Sequence, residues 1–211
     1  MSDRILDLPI SPDVARSLQL GDMVYLRGDA VVTAGFPTHQ RLYACIENAT
    51  PPPVDFAGRA FLHLGVMSEE HDGTLEALYV NPTTSTRFNA FMPKIISALG
   101  LTIVAGKGGL DESSVAAMRD TGCVYLSMIG GGAPLLTEGI AGVVETGWDD
   151  LIAQFRLSRI RLDMFGPLTV AIDAHGNSRY AELSQAARAK LPEIMEMLAD
   201  RRKGTMGSSK G

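Results

Sequence analysis

From Asn81 onward the chain alternates strand, turn and helix, and this alternation narrows the fold more than any other feature. "ALYV" leads into "NPTTSTR" and a helical run through Leu99. "LTIVAG" leads into "KGGLDESSVAAMRDTG", a helix with Asp111 or Ser113 as its cap. "CVYLSMIG" leads into "GGAPLLTEGI", a shorter helix. "LTVAID" precedes "AHGNSRY" and a terminal helix from about Ala181 to Arg202. Strands separated by helices imply parallel pairing, because a crossover must bring the chain back before the next strand begins. The earlier part of the chain is richer in strands. "MVYLR" and "AVVTA" flank Gly28-Asp29, and "AFLHLGV" and "TLEALYV" flank the turn "SEEHDG". Between these pairs, "THQRLYACIENA" predicts a helix capped by Thr38, with Leu42 and Ile46 on one face. "TPPPVDFAG" is too proline-rich for a helix or a central strand. The expected fold is therefore α/β: a mainly parallel sheet with helices and an added β layer.

The 211 residues suit one domain over 1–203 with a flexible Gly/Ser-rich tail at 204–211. A net charge of −5 and the lack of a basic stripe exclude nucleic acid as a partner. No run approaches the roughly 18 apolar residues of a membrane span, and "MSDRILDLPI" is too acidic and too short in apolar length for a signal peptide. The two cysteines, Cys45 and Cys123, sit in apolar surroundings and read as reduced thiols of a cytoplasmic protein. Two thiols are also too few for an iron–sulfur cluster, which takes three or four.

Three turns stand where an open α/β sheet places its ligand, beyond the carboxyl ends of strands: "NPTTSTR", "GKGG" and "GGGAP". Each is expected to feed a helix N-terminus, whose free N–H groups and dipole favour an anion. The first adds Thr83, Thr84, Ser85 and Arg87, and the second adds Gly106 and Lys107. Hydroxyls, one fork-shaped cation and one point cation suit a small carboxylic acid. Any one such turn is commonly a packing device, whereas three in one half-chain, two bearing a cation, point to a site. "VAGKGG" is not a phosphate-binding loop, since Gly108 stands where Ser or Thr is required. "GGGAP" fails the dinucleotide spacing at Leu135. Of the histidines, His63 reads as a half-buried strand residue, His71 as a solvated turn residue, and His175 as either a turn or a site residue. His39 sits at a helix start after a strand, a site-like place. No pair has metal-ligand spacing, so this chain is expected to hold no metal.

The ordered blocks "GDMVYLRGDAVVTA", "HQRL", "NPTTSTR", "AGKGGL", "GGGAPLL" and "IDAHGNS" resemble the β subunit, or C-terminal domain, of iron–sulfur-dependent class I fumarases and L(+)-tartrate dehydratases. The resemblance runs from about Gly21 to Asn177. It implies a swivelling β/β/α domain that works with a separate α subunit, which holds a four-iron four-sulfur cluster. The implied complex is a hetero-oligomer, with a homodimer as the state of the isolated chain. Residue by residue, the family's catalytic threonine falls on Thr83, with Thr84 beside it. Its substrate-binding arginine falls on Arg87, and its glycine–lysine turn on Gly106 and Lys107. The motif "TARDxxHxR" falls on Thr33, Ala34, His39 and Arg41, so His39 and Arg41 join the expected substrate site. Gly35 and Phe36 depart from that motif, where the family carries an arginine that contacts substrate carboxylate and then an aspartate. A small apolar lining is expected there, suited to a hydroxy acid with a bulkier or less charged end.

The implied activity is reversible removal of water from a 2-hydroxy acid, within a pocket around Thr83, Arg87 and Lys107 that opens toward the companion. A threonine hydroxyl is a poor base, so a neighbouring charge must activate Thr83. Two other readings stay open. One is a stand-alone acid-binding or regulatory module, and the other is a purely structural assembly domain.

Overall fold

The computed structural model describes residues 4–207. The chain divides into two compact units, Met1–Ser178 and Arg179–Gly211. In the first, β1 (Arg4–Asp7) precedes α1 (Pro12–Arg16), β2 (Met23–Val32) and α2 (Phe36–Glu47). β3 (Ala60–Leu62), β4 (Leu64–His71) and β5 (Thr74–Pro82) follow, then a 3-10 turn (Ser85–Phe88) and α3 (Met92–Leu99). β6 (Ile103–Gly106), α4 (Glu112–Thr121), β7 (Val124–Ser127), α5 (Ala133–Glu138) and β8 (Ile140–Gly147) come next. A second 3-10 turn (Ala153–Phe155) leads into the 16-residue β9 (Leu157–Ile172). The second unit contains one helix, α6 (Arg179–Gly207). It takes in the first four positions of the expected tail, and 208–211 lie outside the described residues.

The main sheet runs β1-β2-β3-β6-β7-β9-β8, and β2 also pairs with β9. Pairings β1–β2, β2–β3, β3–β6 and β6–β7 are parallel, while β9 is antiparallel to β2, β7 and β8. The circuit β2–β3–β6–β7–β9 therefore closes on itself. β4 and β5 form a separate antiparallel hairpin, the added layer. The central strands are apolar along their length because both faces are covered: all four residues of β6 and the first three of β7 are buried. Leu26, Leu62, Ile103, Val124, Leu126 and Phe165 belong to one core cluster.

Local chemistry accounts for the helix ends. Asp111 accepts from the Ser114 N–H at the start of α4, leaving Ser113 as a neighbour rather than the cap. Gly100 and Gly122 close α3 and α4 in the left-handed conformation, at φ 57° and 75°.

Several expectations change. "MVYLR" and "AVVTA" form one strand, with Gly28 at φ 114° and a register shift beside it in place of a break. α2 begins at Phe36 with Gly35 as its N-cap; Thr38 lies inside the helix, and its hydroxyl donates to the Phe155 carbonyl instead. "AFLHLGV" is interrupted at His63, and the "SEEHDG" turn shrinks as strand pairing extends to His71↔Thr74. "NPTTSTR" feeds a four-residue 3-10 turn, not a continuous helix to Leu99.

Candidate active site

Backbone bonds fix the polar loop that follows β5. Thr83 N–H donates to the His63 carbonyl (2.9 Å), Lys107 N–H to Thr83 (3.1 Å) and Ser85 N–H to Lys107 (2.8 Å). Thr84 and Lys107 form a parallel bridge. Two loops far apart in sequence are thereby locked side by side at the ends of β5 and β6. The same bonds correct the expectation of free helix-end donors, because these N–H groups already have carbonyl partners. At α4 the carboxylate of Asp111 occupies the N-terminus, which disfavours an anion there. α5 has only six residues.

The loops open into a cavity of about 360 Å³. Thr83, Thr84, Arg87 and Lys107 line it, with Ala34, Gly65, Asn81, Pro82 and Gln154. Thr83 is 8% exposed, and its Oγ1 accepts a hydrogen bond from the Arg87 guanidinium. The charge sought beside Thr83 is thus Arg87. No acid lines the cavity, and among the described residues no ion pair engages Arg87 or Lys107. Two cations held together without counter-charges make a site for an anion.

The other expected site residues lie elsewhere. Gly106 is beneath the cavity, where an added Cβ would come 2.2 Å from Ser85 Oγ. His39 is buried, stacks on Phe88 at 3.7 Å between ring centroids, and bonds through Nδ1 to the Gly35 carbonyl (2.7 Å). Arg41 forms a two-pronged pair with Asp150 (2.8 and 2.6 Å) and is absent from the cavity lining. His175 takes the turn role: its backbone N–H donates to Asp173, and Nε2 stands 3.0 Å from the Arg16 carbonyl.

Under the cavity floor lies a buried polar chain that sequence reasoning missed. Ser85 Oγ is 2.8 Å from both His63 Nδ1 and Tyr125 Oη. His63 is fully buried, not half-buried. Burial pushes its pKa well below the ordinary histidine value, and His39 and Arg87 add to the shift. Burial likewise lowers His39 to about 4, with a smaller contribution from Arg87, against the opposing bond to Gly35. Both rings are held neutral, so the floor adds no charge to the two cations above it. Gln154 was also missed: it sits in a short turn with no periodic pattern or motif to mark it.

Position 35 has no room for a side chain. A Cβ on Gly35 would meet Thr38 Oγ1 at 2.3 Å, Phe155 Cβ at 2.8 Å and the Phe155 carbonyl at 2.9 Å. The expected apolar lining is only partly found: the polar residue Gln154 lines the cavity beside Ala34, with its Nε2 donating to Met67 Sδ at 2.6 Å.

A larger cavity, about 630 Å³, lies along β2 and β9. Its arginines are matched by acids: Arg27 with Asp7, Arg161 with Asp29, and Arg159 with Asp29 and Glu145. These neutralised pairs serve cross-strand pairing better than anion capture.

The described residues contain no cluster of three or more His, Cys, Asp or Glu side chains able to hold a metal. Cys123 is buried with its thiol pKa pushed up by burial, the reverse of what a metal-bound thiolate needs. The described residues do not fit an iron–sulfur cluster.

Fold and cavity together define an α/β protein with an open, cation-bearing cavity at the ends of its strands. The Fumarase C-terminus family model matches residues 4–183, and the chain belongs to that family. The L(+)-tartrate dehydratase subunit beta of Escherichia coli (strain K12) is 30% identical over 197 residues, 93% of this chain and 96% of that one. The putative L(+)-tartrate dehydratase subunit beta of Methanocaldococcus jannaschii is 30% identical over 181 residues, 85% of this chain and 92% of that one. A putative fumarate hydratase class I of Geobacillus stearothermophilus is 30% identical over 192 residues, which are 90% of this chain but 36% of that longer protein. The resemblance carried by the six sequence blocks is borne out by these matches.

Proposed function

We propose that this chain is the β subunit of an iron–sulfur-dependent hydro-lyase that reversibly removes water from a 2-hydroxy carboxylic acid. The reading rests on one observation above the others: Arg87 and Lys107 meet in one acid-free cavity beside Thr83, in a chain whose relatives are named as dehydratase β subunits. The four-iron cluster is assigned to a companion α subunit, because the donor set here does not suit it. Exposed apolar side chains near the cavity support such a companion. Ile129 (69% exposed) adjoins Gly130, which abuts Lys107, and Ile152 (61% exposed) adjoins the turn that carries Gln154. No helix among the described residues is long and apolar enough to cross a membrane, and the cytoplasm is the proposed location.

Elimination breaks the C–O bond of the carbinol, with a Lewis acid on the companion expected to take up the departing hydroxide, and a C–H bond on its neighbour, whose electron pair forms the C=C bond. Thr83 Oγ1 is the proposed acceptor of that proton. The Arg87 guanidinium donating to Oγ1 favours its deprotonated form. Negative charge gathers on the substrate carboxylate as the proton leaves, and Arg87 with Lys107 stabilises it from fixed positions.

Turnover by the assembled complex tests this assignment. Arg87→Ala and Lys107→Ala are each expected to lower kcat by about 10²–10³, the usual effect of losing one such donor. Wild-type turnover in both variants would remove the site. A second reading, an acid-binding module that works without a partner, is favoured by the lack of room at Gly35 for the family arginine. Purification from the native source separates the two: a cysteine-bearing companion supports the enzyme, and its consistent absence supports the module.

A further inference from the structure

Tyr125, in β7, is absent from the cavity lining and from every sequence block that marked the site. It is fully buried, yet its hydroxyl stands between the two loops that carry the cations. On one side, Oη is 2.8 Å from Ser85 Oγ, and Ser85 opens the 3-10 turn that carries Arg87. On the other, Oη accepts from the Gly109 N–H at 3.4 Å, in the loop that follows Lys107. Gly108 and Gly109 there have φ of 85° and 77°. A pair of glycines gives that backbone unusual freedom, so a buried acceptor beneath it restricts where the loop rests. Ser85 is held further by His63 Nδ1 at 2.8 Å, and its N–H donates to the Lys107 carbonyl at 2.8 Å.

Resting on the acid-site reading above, we infer that Tyr125 is a positioning residue, whose hydroxyl acts through Ser85 and Gly109 to set the spacing of Arg87 and Lys107 across the cavity. Charge is stabilised best by donors already in place, and a displacement of about 1 Å costs up to about 10² in rate. Phenylalanine at position 125 keeps the ring and its packing. It withdraws one bond from each of two buried groups, the Ser85 hydroxyl and the Gly109 N–H. Buried polar groups that lose a partner are costly to leave as they are, so both loops shift from below and both cations shift with them.

Kinetics of the assembled complex test this through mutant cycles. Tyr125→Phe is expected to lower kcat about 10- to 10²-fold and to change KM by less, because the cations act on charge that grows in the transition state. In an Arg87→Ala or a Lys107→Ala background the further loss from Tyr125→Phe should shrink at least about threefold, whereas a role in folding alone would add in full. Circular dichroism establishes that the variants are folded, and Ser85→Ala, which breaks the same link from the other side, decides on the same terms if Tyr125→Phe does not fold. Wild-type kcat in a folded Tyr125→Phe complex, or an undiminished loss in both cation-lacking backgrounds, overturns the inference; if Arg87→Ala and Lys107→Ala themselves lower kcat, the acid site stands. Wild-type turnover in those two variants, or no turnover from the wild-type complex, removes the acid site and the inference with it.

Discussion

His39 and His63 show how a site can be supported by residues that never reach it. Their rings are 5.2 Å apart between centroids, and neither Nε2 has a hydrogen-bond partner among the described residues. Both folded-state pKa values lie below the unfolded value of about 6.5. Between about pH 6.5 and 4 the unfolded chain therefore binds more protons than the folded one. The stability contributed is complete above about pH 6.5 and is lost as pH falls. For His39, whose folded value is about 4, the loss on reaching that pH is on the order of 3 kcal/mol. Urea titrations from pH 7 to pH 4.5 should show a falling midpoint, with a shallower fall in His39→Phe; an identical slope in that variant would contradict the account. Gly35 carries a second prediction at this scale. Gly35→Arg, the change that restores the family's arginine, is expected to destabilise by roughly 1–3 kcal/mol, as overpacking does, and not to add a carboxylate contact. A thermal melt and an acid-binding titration check it. Thr83, Arg87 and Lys107 were legible because short loop motifs keep their chemistry at fixed spacing. Gln154 was not, because its place depends on chain neighbours 89 and 120 positions away, Gly65 and Ala34.

The elements were legible where each strand led directly into its helix. β6, α4, β7 and α5 appear where alternation predicts them. β8 and much of β9 did not stand out. β8 mixes partly buried and exposed positions without regular alternation. β9 contains Gly166 and Pro167, residue types that are disfavoured inside a strand, and only its end, within "LTVAID", was expected as a strand. The helix expected after Asn81 is present as α3, ending at Leu99 as read, but it starts only at Met92: backbone bonds from Thr83 and Ser85 to β3–β4 and β6 neighbours outweigh local helix preference before it. The end of β6 consequently sets the position of the 3-10 turn carrying Arg87. Gly106→Ala, which would drive a methyl against Ser85 Oγ, is expected to displace that turn. Acid affinity should fall at least about tenfold, the factor that a cost near 1.4 kcal/mol produces. Unchanged affinity in a folded Gly106→Ala variant would show that the turn is not held in this way.

At the scale of the molecule, the sheet, the hairpin and the cavity all lie in Met1–Ser178, and the family match ends at residue 183. A chain ending at Ser178 is expected to keep its fold and its acid affinity, as circular dichroism and the same titration would show. The central claim is that this protein supplies an acid-binding half-site and needs a companion for chemistry. It is tested most directly by assaying dehydration of 2-hydroxy acids with the pure, iron-free chain and again after adding the cysteine-bearing companion. The account predicts no turnover from the chain alone, and turnover on recombination that is lost about 10²–10³-fold with Lys107→Ala. Sustained turnover by the iron-free chain alone would contradict it.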